Sequence, residues 1–154
     1  MQSKIFWCKV NKYYTDKWMN TNYLRDKKWI FIATCVVTDK AKRKWMKYVR
    51  DEAKKLAPWE MLFLSGCGSI KDWEIQKDFF EIYPELNEIK DKIELLPEDT
   101  NSKEKEILNE KIKNISKINL TTKKFVLIQS GCDSFCSFCL TVKKRWKHFS
   151  RTKE

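Results

Sequence analysis

The chain has 154 residues, with 32 Lys and Arg against 21 Asp and Glu, a formal net charge of +11 and 42% hydrophobic residues. The length allows one domain, or one domain and the beginning of another, and the apolar content excludes wholesale disorder. No stretch nears the roughly 20 apolar residues of a membrane span, and the N-terminus MQSKIFWCKVNKYY lacks a long apolar h-region. The expectation is a cytoplasmic chain with reduced thiols and no membrane partner. The positive charge suits a polyanion such as tRNA, rRNA or DNA, although the abundance of Lys, Ile and Asn would also follow from AT-rich coding.

In chain order, Lys4–Trp7 is a short apolar run that ends at Cys8. Thr15 is a candidate N-cap for a short helix to Leu24, with Trp18 and Met19 towards a core. Trp29–Ala33 is a second apolar run, ending at Cys35. The stretch Asp39–Leu56 then predicts a long amphipathic helix, with Ala41, Trp45, Tyr48, Val49, Ala53 and Leu56 on one face and Lys and Arg on the other. Met61–Leu64 is a third run, ending at Cys67, and a helix is predicted over Asp72–Tyr83, stopped by Pro84.

Three buried-strand candidates alternating with helices predict an α/β fold with a parallel sheet. Cys8, Cys35 and Cys67 each close a strand, and the carboxyl ends of such strands are where open α/β sheets place ligands. These cysteines are therefore expected to meet on one rim as a second metal site; the plainer reading is three small core residues. Asp91–Lys124 is charge-dense and nearly free of aromatics, a connector with a modest helix over Glu104–Ile118. The domain reading is thus 1–90, a connector over 91–121, and a second, incomplete unit over 122–154.

That second unit opens with Phe125–Ile128, a strand candidate running into QSGCDSFCSFCL. Cys132, Cys136 and Cys139 fall at C-x3-C-x2-C spacing. Three thiolates on so short a loop can hold three corners of a [4Fe–4S] cube and leave one iron open. Zinc with His148 as fourth ligand, or disulfides, are the other readings. A two-cluster ferredoxin is disfavoured, because its cysteines cluster densely and leave no iron open.

With both cysteine sets placed, the chain resembles the radical S-adenosylmethionine (SAM) methylthiotransferases, which add a methylthio group to tRNA adenosines or to a ribosomal protein. Cys8-Lys9-Val10-Asn11, Thr34-Cys35-Val36-Val37-Thr38 and Ser65-Gly66-Cys67 look like the family's three dispersed cysteine motifs. Gly131-Cys132-Asp133-Ser134-Phe135-Cys136-Ser137-Phe138-Cys139 looks like its radical-SAM motif, and Ser150-Arg151 like a Ser-Arg that follows an Arg-Gly pair. Ala33 departs from the Asn usual before Thr-Cys. The C-K-V-N form looks most like the branch acting on N6-threonylcarbamoyladenosine.

The resemblance implies an N-terminal parallel-sheet methylthiotransferase domain followed by the first strand and cluster loop of a radical-SAM (β/α) barrel. Such a barrel needs about 200 residues or more, so the chain is expected to be truncated and inactive alone. The resemblance also implies two [4Fe–4S] clusters, one on Cys132, Cys136 and Cys139 and one on Cys8, Cys35 and Cys67. SAM would be bound with Phe138 near its adenine, tRNA and an electron donor would be the partners, and a monomer is expected. An iron–sulfur RNA-binding module without catalysis is the alternative, as is a methylthiotransferase for isopentenyladenosine or a ribosomal protein.

Seven tryptophans against three glycines invert ordinary usage. Glycine precedes Cys67 and Cys132, but Trp7 precedes Cys8, and Arg145-Trp146 stands where the family has Arg-Gly. Trp29 and Trp59 also occupy turn-like positions. Some bacteria read UGA as glycine, and translating UGA as tryptophan would produce this inversion. Trp18, Trp45 and Trp73, on predicted helix faces, read as genuine tryptophans.

Overall fold

The computed structural model describes residues 2–6, 9–22, 30–71, 74–97, 128–144 and 148–150. Four strands, β1 (Gln2–Ile5), β2 (Ile30–Thr34), β3 (Leu62–Gly66) and β6 (Ile93–Leu95), form one parallel sheet in the order β1-β2-β3-β6. β2 and β3 are buried along their whole length, as near-continuous apolar strands of a parallel sheet should be. Their alternating residues divide between two faces. Ile30, Ile32, Leu62 and Leu64 belong to the main core, and Phe31, Ala33 and Phe63 form a smaller cluster.

The main core is closed by α2 (Asp39–Ala53), which buries Ala41, Trp45, Met46, Val49 and Ala53 at helical spacing. Thr38 caps it, its hydroxyl accepting the Ala41 N–H at 3.1 Å. At the far end, the Lys92 ammonium donates to the Ala53 and Leu56 carbonyls at 3.0 and 3.1 Å. Trp45 is fully buried against Phe79 and Tyr83, with ring centroids 6.3 and 5.1 Å away. The expected amphipathic helix is therefore present with its inward face, but it ends at Ala53, and buried Leu56 lies beyond its end.

Three expectations are corrected. α1 runs from Lys9 to Asn22, so Thr15 lies inside it rather than capping it. The Thr15 hydroxyl is buried and donates to the Asn11 carbonyl at 2.7 Å, the i−4 bond that lets a threonine sit mid-helix. The predicted helix Asp72–Tyr83 is replaced by a hairpin of β4 (Ile70–Lys71) and β5 (Glu74–Ile75), followed by the short α3 (Phe79–Ile82). Ile75 and Ile82 are exposed, so their helical spacing with buried Phe79 does not mark a face. β6 was read as the start of the connector; it pairs with β3 and carries the sheet past residue 90. A 3-10 segment, Pro84–Lys92, links α3 to it.

The rest of the connector, including the helix predicted over Glu104–Ile118, lies outside the described residues. Of the strand predicted over Phe125–Ile128, only Ile128 is described, and it is exposed and outside any strand. β7 (Gln129–Ser130) follows and pairs antiparallel with β8 (Phe149–Ser150). Between them lies the cysteine loop and α4 (Leu140–Lys144), which packs against β4. No described helix is long and apolar enough to cross a membrane.

Candidate metal centre

Because β1, β2 and β3 are parallel neighbours, their carboxyl ends share one edge of the sheet. Thr34 pairs with Gly66 in register, so Cys35 and Cys67 leave adjacent strands at the same level. Both are buried, at 2% and 6% exposure. β1 reaches the same edge, where the Phe6 N–H donates to the Ala33 carbonyl at 3.2 Å before α1 begins at Lys9. Cys8, in the link between them, lies outside the described residues. Strand topology thus delivers Cys35 and Cys67, two of the three cysteines expected on the rim, to one edge of the sheet.

A buried polar network braces this rim. The Asn11 side-chain amide donates to the Thr34 carbonyl at 2.9 Å. The Thr34 hydroxyl donates to the Ser65 carbonyl at 2.7 Å and accepts the Gly68 N–H at 3.0 Å. Gly66 has φ +95°, and a Cβ there would stand 2.5 Å from the Thr34 carbonyl oxygen, so only glycine fits. Asn11, Thr34 and Gly66 each lie within one of the three dispersed cysteine motifs. Tyr83 closes the same region: burial pushes its phenol up to about 12, and the nearby Cys67 thiol adds to the effect.

Sequence reasoning did not single out Asn11, Thr34 or Tyr83 by role.

On the second loop, Cys132, Cys136 and Cys139 are half-buried. The Cys139 N–H donates to the Cys136 carbonyl at 3.0 Å, folding the loop into a turn. Backbone N–H groups of Val142 and then Thr141 point at the Cys139 sulfur and hold its thiol below the ordinary range, favouring thiolate. Gly131, before Cys132, has φ +78°. Phe135 also has positive φ, at 47°, and Phe138 is 90% exposed. His148 turns to other partners: Nδ1 lies 3.4 Å from Asp133 Oδ2, and Nε2 lies 2.9 Å from the Gln129 amide and 3.3 Å from the Ser150 hydroxyl.

Among the described residues, no three His, Cys, Asp or Glu side chains are gathered closely enough to hold a metal ion as they stand. The chemistry of the donors nonetheless fits iron–sulfur ligation, since both predicted sets are thiols throughout. At the rim, the buried Trp45 indole N–H has no partner among the described residues. The ring's Cζ2 would stand 3.3 Å from a Cβ at Gly68, beside the Cys67 turn, where a sulfur acceptor would satisfy that donor.

No family model matches the chain, and no solved structure matches it. The chain is similar to a Buchnera aphidicola subsp. Cinara cedri (strain Cc) protein named tRNA-2-methylthio-N(6)-dimethylallyladenosine synthase. The two are 29% identical over 142 residues, covering 79% of this chain and 31% of the relative. The chain thus spans about a third of the length of the curated relative it matches.

Proposed function

We propose that the chain is the N-terminal part of a radical-SAM tRNA methylthiotransferase acting on an N6-modified adenosine next to the anticodon. The observation that carries the proposal is the delivery of Cys35 and Cys67 to one rim by parallel neighbouring strands, with β1 ending at the same edge. The similarity to a protein named for methylthio modification of a tRNA nucleoside supports it.

In this reading Cys132, Cys136 and Cys139 hold one [4Fe–4S] cluster, and Cys8, Cys35 and Cys67 hold a second. When bound, the clusters supply reductive cleavage of SAM and the sulfur for insertion, chemistry that protein side chains lack. The chain's own residues prepare both sites. The Val142 and Thr141 amides favour the ligating thiolate of Cys139. The exposed Phe138 ring is free to stack on the SAM adenine. Asn11 and Thr34 orient the strand ends that carry Cys35 and Cys67. A one-electron donor is a required partner, and tRNA meets the net positive charge.

The C-K-V-N motif favours N6-threonylcarbamoyladenosine as substrate, whereas the relative's name favours the dimethylallyl nucleoside. Mass spectrometry of tRNA nucleosides decides, using cells that lack their own methylthiolation and express the gene in its whole reading frame. The methylthio form of threonylcarbamoyladenosine is expected, and it should vanish with Cys132→Ala. The dimethylallyl product would reassign the branch. Neither product, with iron and tRNA still bound, would leave a non-catalytic RNA-binding module.

A further inference from the structure

We propose that Gln76 and Lys144 form a latch that fixes the C-x3-C-x2-C loop against the rim carrying Cys35 and Cys67. Lys144 ends α4, five residues after Cys139, and Gln76 lies nine residues after Cys67. The Lys144 ammonium donates to Gln76 Oε1 at 2.7 Å across 68 residues of sequence. Gln76 is itself held on every side. It is buried, its N–H donates to the Ser69 carbonyl at 3.0 Å, and its carbonyl accepts the Phe79 N–H at 3.1 Å.

Ser69 carries the connection to the rim. It is fully buried, and both its N–H and its hydroxyl donate to the Gly66 carbonyl, at 2.9 and 3.2 Å. A continuous hydrogen-bonded path therefore runs from α4 through Gln76 and Ser69 to the residue before Cys67. Val142, buried on α4, and the packing of α4 on β4 lie beside it.

The cysteine loop carries little apolar burial of its own among the described residues. Phe135 and Phe138 are exposed, and the loop's strands, β7 and β8, are two residues each. The functional consequence rests on the reading of two metal sites serving one nucleoside. Two sites that act in turn on the same atom need a fixed separation, because an error near 1 Å costs about a hundredfold in rate. Gln76 and Lys144 act through the loop they hold and are positioning residues.

The test compares Gln76→Leu, which keeps size but cannot accept, with Gln76→Glu, which keeps the acceptor, and with Lys144→Met. The first readout is amide hydrogen exchange over Cys139–Lys144 in the metal-free chain. Exchange is expected to rise roughly tenfold in Gln76→Leu and in Lys144→Met, the scale of one charge-assisted bond. It should stay unchanged in Gln76→Glu, and the double variant should be no worse than either single. Unchanged exchange in both single variants, or fully additive effects, overturns the latch.

The second readout is the magnetic coupling between the two reduced clusters after reconstitution. It should change in the Leu and Met variants and be restored in Gln76→Glu, with iron content constant throughout. Coupling that ignores all three variants overturns the positioning role. If the two-cluster reading itself fails, reconstitution shows it as missing iron while the exchange result still stands.

Discussion

Asn11 and Thr34 are joined across 23 residues of sequence by a buried hydrogen bond of 2.9 Å, from the Asn11 side-chain amide to the Thr34 carbonyl. The bond ties the helix that follows Cys8 to the strand end that precedes Cys35. It also walls the space next to Gly66, whose missing Cβ would meet both Asn11 side-chain heteroatoms at 3.0 and 3.2 Å. Replacing Asn11 with Ala strands a buried carbonyl and opens a gap at the rim. A loss of about 1–3 kcal/mol is expected in urea denaturation. Asn11→Asp should cost at least as much, because a carboxylate cannot donate to that carbonyl.

Thr34 is expected to be sensitive through its hydroxyl rather than its shape. Thr34→Val keeps the volume but leaves the Ser65 carbonyl and the Gly68 N–H unpaired in a buried setting. It should cost about 1–3 kcal/mol per stranded group, and Thr34→Ser should cost clearly less. The ordering Val worse than Ser, read from denaturation midpoints, checks the claim; equal midpoints would refute it.

The two rim glycines should respond differently to alanine. Gly66→Ala meets a backbone oxygen at 2.5 Å and also holds a side chain at φ +95°, so strain of about 1–3 kcal/mol adds to the clash. Gly68→Ala meets the Thr34 side chain at 2.9 Å and Trp45 at 3.3 Å, groups that can shift, so overpacking of about 1–3 kcal/mol is the whole cost. Thermal unfolding should rank Gly66→Ala as the less stable of the two.

Much of the fold was legible because β2 and β3 are unbroken apolar runs and α2 has a clean helical stripe. β6 was hidden, since three residues with Glu94 in the middle are too few to show a period. The hairpin after Cys67 mimics a helix in sequence, because Ile75 and Phe79 sit four apart although only Phe79 is buried. The hairpin is closed at its base by the Gln76 N–H donating to the Ser69 carbonyl, a bond that the helical spacing does not show. That Cys35 and Cys67 leave neighbouring strands at one edge was legible from the strand ends. The polar bracing of Asn11 and Thr34 was not, because a buried amide and a surface amide look alike in sequence.

The tryptophan excess divides along structural lines. Trp45 is a genuine core residue: it fills the space between α2, Phe79 and Tyr83, and Trp45→Gly should cost about 3–5 kcal/mol for the cavity and roughly 1 more for glycine in a helix. Trp59 sits exposed in a turn without positive φ, so that turn does not demand glycine. Gly66 and Gly131, by contrast, both precede cysteines and both have positive φ. Trp7 holds the matching place before Cys8, and Trp146 the place of the family's Arg-Gly glycine; both lie outside the described residues. UGA codons are expected at 7 and 146, with glycine in the native peptides by mass spectrometry, and Trp7→Gly should raise iron incorporation. UGG at both positions would end this account.

In the proposed reading two separate thiol sets each hold a cluster, and iron content tests this most directly. After anaerobic reconstitution with iron and sulfide, the chain with Cys132, Cys136 and Cys139 all replaced by Ala should keep about half the iron of the unaltered chain. The chain with Cys8, Cys35 and Cys67 replaced should keep the other half. Loss of all iron from either triple variant, or stoichiometric zinc in place of iron in the unaltered chain, would contradict it.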